Sequence, residues 1–142
     1  MTYHRMMQHV ERHLVDTHLW VAAAAAGLEL FSSHALGLPL LMAPAALVAA
    51  STLLIYRADG WIDKDRPSRG VLPVVLALGV FAWSWTLAPD AVRWLVGFGA
   101  LPCLVYGWRW RGRRCLRELP GIKPFFVSGA LIVSTIGIPC LW

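Results

Sequence analysis

Asp59 and Asp63 stand four residues apart among four cations in the stretch Ile55-Tyr-Arg-Ala-Asp-Gly-Trp-Ile-Asp-Lys-Asp-Arg-Pro-Ser-Arg69. On a continuing helix that spacing puts both carboxylates on one face. Two such groups can share Mg²⁺, which keeps part of its water shell and bridges to substrate phosphates. Arg57, Lys64, Arg66 and Arg69 would then neutralise phosphate charge through charge-assisted hydrogen bonds. Metal and cations together would help a diphosphate leave by stabilising its developing charge. The same residues also suit a solvated acidic-basic loop at a membrane surface, and spacing alone leaves both readings open.

Three further groups could do chemistry. His9 and His13 share an i, i+4 face that could hold a metal or simply meet solvent and headgroups. Glu29 is a carboxylate within an apolar run, which is costly in lipid and usually faces protein or water. It is expected either protonated and hydrogen-bonded to a neighbouring helix, or at the membrane interface. The three cysteines, Cys103, Cys115 and Cys140, match no metal spacing. Cys103 and Cys140 lie in apolar runs and are expected to be buried packing residues. Cys115 sits among cations that could lower a thiol pKa, or it is an unreactive thiol.

The elements that must position these residues are dictated by composition. Of 142 residues, 58% are hydrophobic and 15% charged. A water-soluble domain of this length has too much surface for its volume to bury so much apolar area. Lipid is the natural solvent for the excess. The formal net charge of +5 does not point to nucleic acid, because the basic residues lie between apolar runs and form no separate basic module. No signal peptide is expected, since Glu11 and Asp16 precede the first apolar run.

Residues 1–17 read as an interfacial helix, with Tyr3, Met6, Met7, Val10 and Leu14 at helical spacing. Residues 18–142 read as a transmembrane helical domain with five apolar spans, at 18–31, 38–56, 71–88, 91–108 and 125–142. The fold class expected is all-α, a polytopic membrane bundle, because irregular backbone cannot face lipid. The connections at 32–37 and 89–90 allow only tight helical hairpins. Lys and Arg cluster before the first span, after the second and after the fourth, where Arg109, Arg111, Arg113, Arg114, Arg117 and Lys123 lie. Only Arg93 falls on the other side. The positive-inside rule then makes the amino terminus cytoplasmic and puts the carboxyl terminus on the opposite side. Trp83, Trp85 and Trp94 suit one aromatic belt, and Trp61, Trp108 and Trp110 the other. Small residues such as Ala45, Ala49, Gly97 and Gly99 allow close helix contacts in lipid.

With the aspartates placed after the second span, the sequence resembles the UbiA superfamily of intramembrane prenyltransferases. That family carries an N-D-x-x-D-x-x-x-D motif at the cytoplasmic end of its second helix. Asp59 and Asp63 match its second and third aspartates, and Lys64, Arg66, Pro67 and Arg69 match the basic segment that follows. Tyr56, Asp59 and Asp63 fit a Tyr-x-x-Asp-x-x-x-Asp variant more closely. Leu119-Pro-Gly-Ile-Lys123 is similar to the segment entering the family's fifth span, and Gly137-Ile-Pro139 also fits. Ile55 and Tyr56 depart from the pattern, standing where the enzymes have Asn and the first Asp. The resemblance covers most of this chain but only the amino-terminal half of a family member, and the second aspartate motif of that family has no counterpart in these residues.

The resemblance implies Mg²⁺ at Asp59 and Asp63, and a polyprenyl diphosphate held by Arg57, Lys64, Arg66, Arg69 and Lys123. One expectation is a half-length or degenerate relative, not catalytic alone, that binds isoprenoid, membrane lipid or a larger membrane complex. The alternative is one half of a split or homodimeric Mg²⁺-dependent prenyltransferase that needs a complementary half. A transporter is disfavoured, because apart from Glu29 the spans lack charged residues for a relay and no inverted repeat is visible.

Overall fold

The structure, a computed structural model, describes residues 18–62, 71–107 and 128–142. Every regular element among the described residues is helical. They are α1 (Leu19–Ala35), α2 (Met42–Ile62), α3 (Leu72–Leu87), α4 (Asp90–Gly107), a π-helical turn (Val133–Gly137) and α5 (Ile138–Leu141). The expected interfacial helix at 1–17, with His9 and His13, lies outside the described residues.

α1 forms around an alanine run, the best helix-forming residue type. It continues through Ser32, Ser33 and His34, which the sequence reading assigns to a connection. Its end is a glycine cap. Gly37 has φ 69°, and its N–H donates to the His34 carbonyl at 3.1 Å while the Leu38 N–H donates to Ser33 at 2.8 Å. These two bonds satisfy carbonyls that a helix end otherwise leaves open. A methyl group at Gly37 would meet no neighbour within 4 Å, so the cost of a side chain there is one of backbone conformation. Gly37→Ala is therefore expected to cost about 1 kcal/mol of stability, read from reversible unfolding of the purified chain.

α2 starts at Met42 rather than near Leu38. Pro39 biases Leu38 away from helical backbone, whereas Pro44 is tolerated in a first turn, where no intrahelical partner for its nitrogen is needed. The helix then runs past Tyr56 and carries Arg57 and Asp59 with it. α3 begins with Pro73 in its first turn.

The α3–α4 corner is tied by Arg93. Its guanidinium donates to the Trp85 carbonyl at 3.2 Å and the Thr86 carbonyl at 3.3 Å, and pairs with Asp90 at 3.0 Å. Carbonyls at the end of α3 thus gain donors, and a cation stands where the helix dipole favours one. Trp83 and Trp94 are exposed at this same end.

α1 and α2 pack against each other, as do α2 and α3, while the π-turn and α5 sit against α1 and α4. The π-turn ends two residues before Pro139, which cannot donate to the Thr135 carbonyl and whose ring would crowd it. Within the turn, the hydroxyls of Ser134 and Thr135 both donate to the Leu131 carbonyl, at 3.1 and 2.7 Å. Gly137 lets this segment approach α4, since a methyl group there would lie 3.0 Å from the Leu95 Cδ2.

The main core joins Ala25, Leu47, Val48, Ala88, Val92 and Ile138. A second joins Ala22, Leu53 and Ala77. Side-chain size is distributed unusually. On α3 the buried positions are Val74, Ala77 and Ser84, while Leu72, Leu76, Leu78, Trp83 and Leu87 are exposed. Small residues face inward, and large apolar ones face out.

Among the described residues no helix is both long and apolar enough to cross a membrane by itself. α1 and α3 have 17 and 16 residues. The two longer helices include charge, Arg57 and Asp59 in α2 and Asp90 and Arg93 in α4.

Candidate functional site: the end of α2 and the polar interior

The first part of the aspartate motif falls in the last turns of α2. Tyr56, Arg57 and Asp59 all fall within that helix. Asp63, Lys64, Arg66, Arg69 and Lys123 lie outside the described residues, as does Cys115. Among the described residues no group of three or more His, Cys, Asp or Glu is gathered for a metal.

Two features of this end are defined. The imidazole of His18, at the start of α1, lies 5.4 Å from the Tyr56 ring, centroid to centroid. His18 itself holds left-handed backbone, φ 56°, which is uncommon for a residue with a side chain. Its carbonyl receives the first N–H groups of α1, from Val21 and Ala22 at 3.2 Å. Arg57 is the second feature. It is only 1% exposed and is the largest of the fully buried side chains. A phosphate could meet its guanidinium only by entering between the helices at this end.

The polar interior is a second place where chemistry could occur. The inward face of α1 reads Ala22, Ala25, Glu29 and Ser33, the three-to-four spacing of one helix face. Glu29 is wholly buried. Its partner is on its own helix, not a neighbouring one: the Ser33 hydroxyl donates to Glu29 Oε1 at 3.0 Å. Glu29 Oε2 is buried with no hydrogen-bond partner among the described residues. The Ser33 contribution is absent from the sequence reading, although its place four residues after Glu29 was the available signal.

A cavity of about 150 Å³ opens at the far end of α1, lined by Ser33, Leu38, Leu41, Pro44, Pro139 and Trp142, among others. Cys140 also lines it and is an exposed free thiol. The expectation that Cys140 is a buried packing residue is thereby corrected. The helical rotation that buries Ile138 and Pro139 against the core turns the next residue outward.

Ser84 is also wholly buried, and its hydroxyl has no hydrogen-bond partner among the described residues. With Glu29, Ser33, Arg57 and Thr135, it makes a set of polar side chains inside an exterior of large apolar ones. The chain matches no family model, no curated protein and no solved structure.

Proposed function

We propose that this chain is a multi-pass membrane protein whose bundle resembles the first half of a UbiA-type bundle. In this reading it binds an isoprenoid diphosphate or lipid at the end of α2 and does not catalyse prenyl transfer alone. The observation that carries the membrane part is the inverted distribution of side chains. Trp20, Phe31, Met42, Leu72, Leu76, Trp94 and Phe98 are each more than half exposed, while Glu29, Ser33, Arg57, Ser84 and Thr135 are buried. Water would favour the reverse distribution, because burying polar groups while exposing many large apolar ones is costly there. Lipid removes the cost on the outside and leaves the inside to close contact between small residues and to polar pairing.

Among the described residues no helix is both long and apolar enough to cross a membrane, so this reading requires the bilayer to adapt to the bundle. At about 1.5 Å per residue the four long helices measure about 24–32 Å, against a hydrocarbon core of about 30 Å. The shorter helices would be accommodated by local thinning of the bilayer. The basic residues then place the amino terminus and the α2 end in the cytoplasm, and the Arg93 corner on the opposite side.

The ligand part rests on Asp59 within α2, Asp63 one residue beyond the helix's last turn, and the cations around them. Mg²⁺ at the two carboxylates would bridge to a diphosphate, with Arg57, Lys64, Arg66, Arg69 and Lys123 as the residues proposed to hold it. The test is Mg²⁺-dependent binding of farnesyl diphosphate to the chain in nanodiscs. The wild type is expected to bind, and Asp59→Asn with Asp63→Asn is expected to weaken binding at least tenfold while leaving helicity unchanged. Equal binding with Mg²⁺ and with chelator, or no loss in the double variant, would remove the ligand part of the reading.

A further inference from the structure

Glu29 leaves one hydrogen-bonding capacity unused. Ser33 donates to its Oε1, which suits the carbonyl oxygen of a neutral carboxyl and leaves the acid proton to Oε2. Oε2 is buried and has no hydrogen-bond partner among the described residues. A carboxylate in this place would need a cation beside it, and the charged groups of the described residues are elsewhere. α3 carries none. α2 carries Arg57 and Asp59 at its far turns, level with His18, whose ring meets Tyr56. From His18 to Glu29 is about 16 Å along the helix axis. Asp90 and Arg93 of α4 pair with each other at the corner. His34 of α1 itself is exposed, and the last segment adds only the Cys140 thiol, also exposed. Glu29 is therefore held neutral, as a buried donor that lacks an acceptor.

An acceptor that lacks its donor lies at the same depth. In a helix the Thr135 carbonyl would receive the N–H four residues on, and that residue is Pro139. Pro139, Cys140 and Trp142 line the same cavity as Ser33 at the far end of α1, while Leu131 packs against the main core. The last segment thus runs toward that end, as α1 does. One turn before Ser33 is Glu29, and one turn before Pro139 is Thr135, so the two are level. Both are buried, and the π-turn that holds Thr135 packs directly on α1. We propose that Glu29 and the Thr135 carbonyl form a proton-dependent latch that seats the carboxyl-terminal segment on α1. The acid proton on Oε2 is donated to the open carbonyl, directly or across one interior water. Two buried groups, each costly when unpaired, then satisfy each other. When the proton leaves, a carboxylate oxygen stands against a carbonyl oxygen with no hydrogen between them, and the segment lifts from α1. The latch holds while Glu29 is protonated and is lost as pH rises through its titration. It does not depend on a diphosphate binding at the end of α2.

Ile138 provides the readout, because it lies on that segment and is only 3% exposed. Ile138→Cys is placed in a background of Cys103→Ser, Cys115→Ser and Cys140→Ser. Its alkylation by N-ethylmaleimide is timed in detergent micelles from about pH 5 to about pH 9, a range wide enough for exposed and buried carboxyls. Each rate is divided by that of the same chain carrying Glu29→Gln, which keeps a donor but cannot titrate. The division removes the ionisation of the thiol itself. The ratio is expected to be near one at the acid end and at least fivefold higher at the alkaline end. Infrared spectra of the chain without the reporter cysteine give a second readout. A protonated-carboxyl band that Glu29→Gln removes is expected at low pH. Pro139→Ala, which returns an N–H to the Thr135 carbonyl, is expected to shift that band toward the frequency of an unbonded acid. A labelling ratio that stays flat across the range would overturn the proposal. So would a Glu29 band that is absent at low pH or unmoved by Pro139→Ala.

Discussion

If the bundle spans a bilayer as proposed, Leu78→Asp is expected to prevent stable membrane insertion of α3. Leu78 lies near the middle of that helix and is 51% exposed, on the side that meets lipid if the bundle spans a bilayer. An aspartate at the centre of a spanning helix costs about 2.5–3.5 kcal/mol on insertion scales, enough to shift an insertion equilibrium by a factor of about 100. On a surface facing water the same change would fall within about 0.5 kcal/mol. Retention in carbonate-washed membranes and glycosylation mapping of α3 both read the difference. A variant that is retained and oriented like the wild type would contradict the lipid-facing assignment of this side of the bundle.

Leu47→Ala should have the second largest effect, and its size carries information of its own. Leu47 is wholly buried in the main core, between α1 and the α4–α5 contact. In a water-soluble protein, truncating such a leucine costs about 2–5 kcal/mol, the sum of a transfer term and a cavity term. In lipid the separated helices would still bury Leu47 in hydrocarbon, so the transfer term falls away and lost packing remains. Under the proposed membrane reading the expected loss is therefore near the lower limit, about 2 kcal/mol, in reversible unfolding from detergent micelles. Leu76→Ala, at a position 60% exposed, should change stability by less than about 0.5 kcal/mol. Equal losses at the two positions would mean that the inward and outward faces have been assigned wrongly.

The positions of the helices were largely legible in the residues, as were the ends of α3 and α4, but not the end of α1 or the ends of α2. The span expected at 71–88 corresponds to α3, Leu72–Leu87, and that at 91–108 to α4, Asp90–Gly107. Proline and the charged corner mark both ends there, and these are local signals. At the first hairpin the polar residues Ser32, Ser33 and His34 suggested a connection, yet they belong to α1. Polarity is a poor boundary signal where a polar side chain can turn inward to a partner one turn away, as Ser33 does to Glu29. The true stop is the left-handed Gly37.

The amino-acid sequence by itself determined that the described residues are helical, that the apolar content exceeds what a small interior can hold, and that Asp59 falls in the second helix. Those properties follow from composition and local spacing. Which way each side chain faces was decided only by tertiary packing. Glu29 and Arg57 could have lain on the surface, and Cys140 could have been core. In the folded chain the first two are buried and the third is exposed. The physical reason is that α1, α2 and α3 are apolar around most of their circumference, so no amphipathic stripe announces the inner face. Close approach of small residues chooses it instead, at Ala22, Ala25, Ala45, Ala50 and Ala77, and that choice depends on neighbouring helices that no single segment of sequence contains.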